Sequence, residues 1–93
     1  MDIVAEVSDP HRERLWAVVE AKVRLSYQDV EAWAQRMLSE GFRRRLAAAG
    51  VPGPYLVYAF SIRPDPGAYR AVERFDIGLL TSEGEEAAPA LVS

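Results

Sequence analysis

One amphipathic stripe, long and well bounded, sets the first constraint on the fold. Val30, Trp33, Ala34, Met37, Leu38, Phe42 and Leu46 recur at spacings of three and four, while Glu31, Gln35 and Arg43 to Arg45 mostly face away. Ser26 supplies an N-cap and Asp29 stands where a capping box places its acid; Asp29 and Glu31 also suit the positive end of the helix dipole. Gly50 and Pro52 end the run. The spacing predicts a helix over 27–49, with room for a kink or break near Gly41 where Ser39, Glu40 and Gly41 are weak formers. Such a stripe must lie on something, and the rest of the chain is read for its partner.

Downstream the period changes from helical to two. Leu56, Tyr58, Phe60 and Ile62 alternate with Tyr55, Val57, Ala59 and Ser61; Tyr69, Ala71, Glu73, Phe75, Ile77 and Leu79 alternate with Arg70, Val72, Arg74 and Asp76. A turn at Pro64 to Gly67 would make these a hairpin in which Leu56 opposes Phe75, Phe60 opposes Ala71 and Ile62 opposes Tyr69, apolar face on apolar face. Upstream, Leu15, Ala17, Val19, Ala21, Val23 and Leu25 occupy alternate positions, which is strand patterning. Ser8, Asp9 and Pro10 nevertheless form a helix start, so a second helix over 9–24 with a smaller sheet is the alternative. With 2–7 as a further strand, the expected fold is α+β: a small antiparallel sheet in ββαββ order with one long amphipathic helix packed on one face. Residues 1–82 are expected to form a single domain and 83–93, acidic and then small and Pro-broken, a C-terminal tail.

Composition narrows the function classes. There is no Cys, which removes disulfides, thiol nucleophiles and Cys-based zinc sites, and the single His leaves little metal chemistry, so neither a metal nor a cofactor is expected. The longest apolar runs, 15–19 and 55–60, fall far short of the roughly 18 to 20 residues that span a bilayer, and Asp2 and Glu6 suit no signal peptide; a cytoplasmic protein with no membrane partner is expected. Ten of the eleven bases are Arg, Asn is absent and fourteen residues are Ala, the usage of a GC-rich genome, pointing to a bacterium or its phage. Setting aside Glu83, Glu85 and Glu86 leaves eleven acids against eleven bases. A neutral body lacks the basic field that phosphate binding needs, so nucleic acid is not an expected partner.

The search for chemistry is mostly negative: no phosphate-binding glycine loop, calcium loop, paired-His motif or serine elbow occurs. His11 reads as a solvated loop residue. Arg43, Arg44 and Arg45 would fan around a helix and so form no single patch. Glu73 is the one polar residue on the apolar face of its alternating segment, where burial would raise its pKa; with Tyr58 and Tyr69 it marks a candidate pocket for the rival reading, a small enzyme or ligand-binding domain. No catalytic residue is assigned.

Geometry favours a different function. Four strands at about 4.8 Å make a sheet near 19 Å wide, whereas a helix is about 10 to 12 Å across, so one helix leaves apolar surface uncovered. Trp16, Val18, Tyr55, Val57 and Val72, with Arg74 at the rim, are expected on the face opposite the helix. Uncovered apolar surface marks a protein-binding site, so the expectation is a non-enzymatic protein that works by protein contact, as a self-associating subunit, adaptor or small inhibitor, with a homo-oligomer as the simplest partner arrangement.

Overall fold

The computed structural model describes residues 2–9, 12–51, 54–89 and 91–92, and side chains from Leu15 to Pro89 within them. His11 lies outside the described residues. The order is β1 (Asp2–Asp9), β2 (Arg12–Leu25), α1 (Tyr27–Leu38), α2 (Glu40–Ala48), β3 (Tyr55–Pro64), α3 (Pro66–Phe75), β4 (Gly78–Thr81), β5 (Gly84–Ala87) and β6 (Leu91–Val92). The fold is α+β with a mixed sheet rather than an antiparallel one in ββαββ order. Strands β1 to β5 lie side by side in chain order; β1–β2 and β4–β5 are antiparallel, β2–β3 and β3–β4 parallel, and β6 pairs with the start of β3.

Residues 12–25 are a strand, as their alternation predicts; the Asp9-Pro10 signal serves a hairpin instead, with Asp9 opposite Arg12. The capping box forms as expected: the Asp29 N–H donates to Ser26 Oγ at 3.2 Å, and the Ser26 N–H donates to Asp29 Oδ2 at 3.0 Å. That second bond, helped by Lys22 Nζ at 3.2 Å, holds the Asp29 carboxyl below the usual aspartate range despite partial desolvation. The long helix is two helices. Ser39 adopts an extended conformation that ends α1, and its Oγ accepts from the Phe42 N–H to cap α2. The break falls two residues before Gly41.

The expected hairpin does not form, because its second arm is α3. Asp65 and Pro66 are an N-cap and first-turn proline, and Ala68, Ala71, Val72 and Phe75 stand at helical spacing, the first three of them buried. Asp76 ends the helix in the left-handed region, φ 56°, and the Ile77 N–H returns to the Val72 carbonyl at 3.0 Å. Leu56 therefore does not oppose Phe75, whose ring meets Tyr27 edge-on at 6.1 Å. Glu73, anomalous on a strand, is an exposed helical residue. The segment read as a tail carries β5 and β6, both hydrogen-bonded into the sheet.

Topology dictates where the core sits. The parallel steps β2 to β3 and β3 to β4 move in the same direction across the sheet. Crossovers of this kind are right-handed almost without exception, so two successive steps in one direction lay their helices on the same face. Burial agrees: Val18, Tyr55, Val57, Ala59 and Leu79, which share that face by register, are buried against Val30, Trp33 and Met37 of α1 and Ala68, Ala71 and Val72 of α3. Trp33 fastens α1 to the sheet by donating from Nε1 to the Tyr58 carbonyl at 2.9 Å.

Candidate interaction surface

The strand residues expected to form an exposed patch, Trp16, Val18, Tyr55 and Val57, are instead the floor of the core. Val18, Tyr55, Val57 and Val72 are no more than 2% exposed, and Trp16 packs half-buried beside them. They do come together, but beneath the helices. Tyr55 Oη donates to the Val51 carbonyl at 2.7 Å, and burial pushes its pKa up. Val72 belongs to α3, not to a strand, and Arg74 is on the exposed side of that helix, donating to Tyr27 Oη at 2.7 Å. The misplacement has a physical cause: the polar residues of β2 do not mark its solvent face. Glu20 and Lys22 lie on the helix side, where Arg36 approaches Glu20 at 3.8 Å and Asp29 meets Lys22. Ser61, fully buried on the same side, donates to the Val23 carbonyl at 3.0 Å.

The opposite face is built from the other parity. Register sets Ala17 beside Leu56, Val19 beside Tyr58 and Ala21 beside Phe60, with Gly78 and Leu80 next to Tyr58 and Phe60 on β4. Ile62 and Val23 extend the row and are 61% and 67% exposed. A shallow depression lined by Ala21, Lys22, Val23, Phe60 and Ile62 lies at that end. On β1, the positions of Val7, Ala5 and Ile3 fall opposite Leu15, Ala17 and Val19, so the same face continues to the sheet border. Among the described side chains that register places on this face from β2 to β4, only the phenol of Tyr58 is ionisable, and Lys22 borders the depression at its end.

Tyr58 closes the face on its other side. Its ring lies against β4, where a Cβ on Gly78 would meet the ring at 2.5 Å, so only glycine fits. The phenol then reaches β5 and donates to Glu85 Oε1 at 2.9 Å; burial first, and the carboxylate second, raise its pKa. Tyr58 is thus separated from the other two residues of the candidate pocket. Tyr69 and Glu73 do share a groove between α3 and β5, with Glu86 accepting from Tyr69 Oη at 2.8 Å. Among the described residues no three His, Cys, Asp or Glu side chains converge as a metal would require.

The remaining basic groups are dispersed. Arg36 stacks over Trp33 and Phe42 at 5.0 and 4.9 Å, and Arg44 approaches Glu40 at 3.6 Å. No helix of the described residues is long and apolar enough to cross a membrane. Compared with protein-family models, curated proteins and solved structures, the chain matches none.

Proposed function

We propose that this is a non-enzymatic, self-associating protein whose working surface is the uncovered face of its sheet, and that the surface is covered by a second copy of the chain. The observation that carries this reading is the chemistry of the face. Antiparallel and mixed sheets that face water alternate apolar with polar residues, whereas here β2 and β3 present Ala17, Val19, Ala21, Val23, Leu56, Tyr58, Phe60 and Ile62 on the side with no helix. A face whose described side chains are apolar is complementary to itself, because a two-fold axis lays apolar surface on apolar surface. Sheet-on-sheet packing at about 10 Å would dry it.

The test is the mass in native solution of the wild-type protein and of Phe60→Lys. Association at micromolar concentration that is lost or stepped down in Phe60→Lys, with unchanged helical circular dichroism, supports the reading. A wild-type chain that stays monomeric at these concentrations overturns it.

A further inference from the structure

The two borders of the sheet are unlike. β5 ends one of them in four residues that include Glu85 and Glu86, a short acidic edge that resists strand addition. β1 ends the other in eight residues, Asp2 to Asp9, without proline or lysine, and no strand lies on its outer side among the described residues. We propose that β1 pairs with β1 of a second copy, antiparallel about a two-fold axis centred on Ala5, so that two sheets become one.

Charge selects that register. Antiparallel partners share a face, so the sum of paired numbers must be even if apolar positions are to meet apolar positions. Centred on Ala5, Ile3 opposes Val7, Val4 opposes Glu6 and Asp2 opposes Ser8 of the second copy. Sliding the centre to Val4 sets Asp2 against Glu6, and sliding it to Glu6 sets two glutamates against each other. Like charges directly opposite are destabilising. Glu6 therefore acts against these neighbouring registers without opposing the central one.

Area makes the pairing consequential, and here the argument rests on the proposed role of the open face. Four strands at about 4.8 Å and seven residues at about 3.3 Å give a face of roughly 19 by 23 Å, or about 440 Å² per copy. Two such faces bury about 900 Å², below the roughly 1,200 Å² of the smaller stable interfaces. Pairing through β1 sets two faces side by side in one plane, and doubling the area to about 1,800 Å² brings it within the standard range. The two-fold of the β1 pair stands perpendicular to the sheet and that of the stacked faces lies parallel to it, so both close together in a tetramer of two paired sheets packed back to back.

Sedimentation and native mass spectrometry should find that tetramer, and Phe60→Lys should reduce it to a dimer rather than a monomer. In the Phe60→Lys background, Ser8→Asp sets a carboxylate opposite Asp2 of the second copy, twice per interface, and should weaken the dimer about tenfold. Ser8→Lys should tighten it, and adding Asp2→Lys to Ser8→Asp should restore it. Equal dissociation constants for Ser8→Asp and Ser8→Lys overturn the pairing. A wild-type dimer that Phe60→Lys makes monomeric, and that ignores charge at Ser8, upholds the open face and refutes the β1 pairing. An assembly that follows charge at Ser8 but ignores Phe60→Lys upholds the pairing and refutes the role of the face.

Discussion

Val18 and Val19 are neighbours of the same residue type, and the structure assigns them opposite fates. Val18 is fully buried beneath the helices, opposite Val57, whereas Val19 lies on the open face opposite Tyr58. Lysine at each position measures the difference. A lysine forced into a core has its pKa lowered by about 3 to 5 units, at about 1.4 kcal/mol per unit, so Val18→Lys should cost roughly 4 to 7 kcal/mol. A chain of this length has a total stability of about 5 to 14 kcal/mol, so that loss runs from roughly a third of the whole to all of it. Val19→Lys removes a partly exposed valine and should cost the monomer no more than about 1 kcal/mol. Urea unfolding followed by circular dichroism should find a far lower midpoint for Val18→Lys, or no folded baseline at all, and a nearly unchanged fold for Val19→Lys. The comparison is between the two variants because the proposed association would add stability to the wild type. Equal midpoints, or a folded Val18→Lys beside an unfolded Val19→Lys, would refute the assignment of the two faces.

Three further outcomes follow from local geometry. Asp76→Gly relieves a left-handed residue at the end of α3 and should raise stability by about 0.5 to 1 kcal/mol, read as a higher urea midpoint. Gly78→Ala drives a methyl into the Tyr58 ring and should cost about 1 to 3 kcal/mol, and a double-mutant cycle with Tyr58→Ala should recover most of it; additive losses would deny the contact. The hydrogen bond to Glu86 raises the pKa of Tyr69, so the folded state holds this proton above the pH at which the unfolded chain loses it; the bond's contribution is complete below that pH and disappears as pH rises through the folded pKa. Glu86→Gln should move that component of the tyrosinate absorbance titration to lower pH.

Much of the architecture is legible in the residues, and the errors have identifiable physics. Alternation over 15–25 reads correctly as a strand because a half-apolar strand needs nothing more than period two. The Ser26–Asp29 cap is local and reads correctly for the same reason. The stretch 66–79 misleads because Ala71, Phe75 and Ile77 satisfy period two while Ala68, Ala71, Val72 and Phe75 satisfy the helical period. Asp65-Pro66 and the misfit of Glu73 were the signals that separate them. The chain also shows that the sheet has more apolar surface than a helix covers, but not which face the helices take. β3 is apolar on both faces over most of its length, and the polar members of β2, Glu20 and Lys22, are matched by Arg36 and Asp29 rather than by water. That pairing spans long-range contacts that no local pattern encodes.

The order of strands across the sheet has a consequence in time. Because β1 to β5 are neighbours in space as they are in sequence, each strand leaving the ribosome finds its dock already made, and no early strand waits for a later one to be inserted between it and its neighbour. The waits are the two crossovers, from Trp16 to its register partner Tyr55 and then from Tyr58 to Gly78, and loop closure over such separations is what slows the pairing of parallel strands. β6 alone goes back, returning to Tyr55 and Leu56 after β4 and β5 are in place. During synthesis the nascent sheet exposes both faces until α1 and α3 settle on one, and under the proposed self-association the other stays exposed until a second molecule arrives. Assembly, on this reading, is the last step of folding, and its rate rises with the concentration of finished chains.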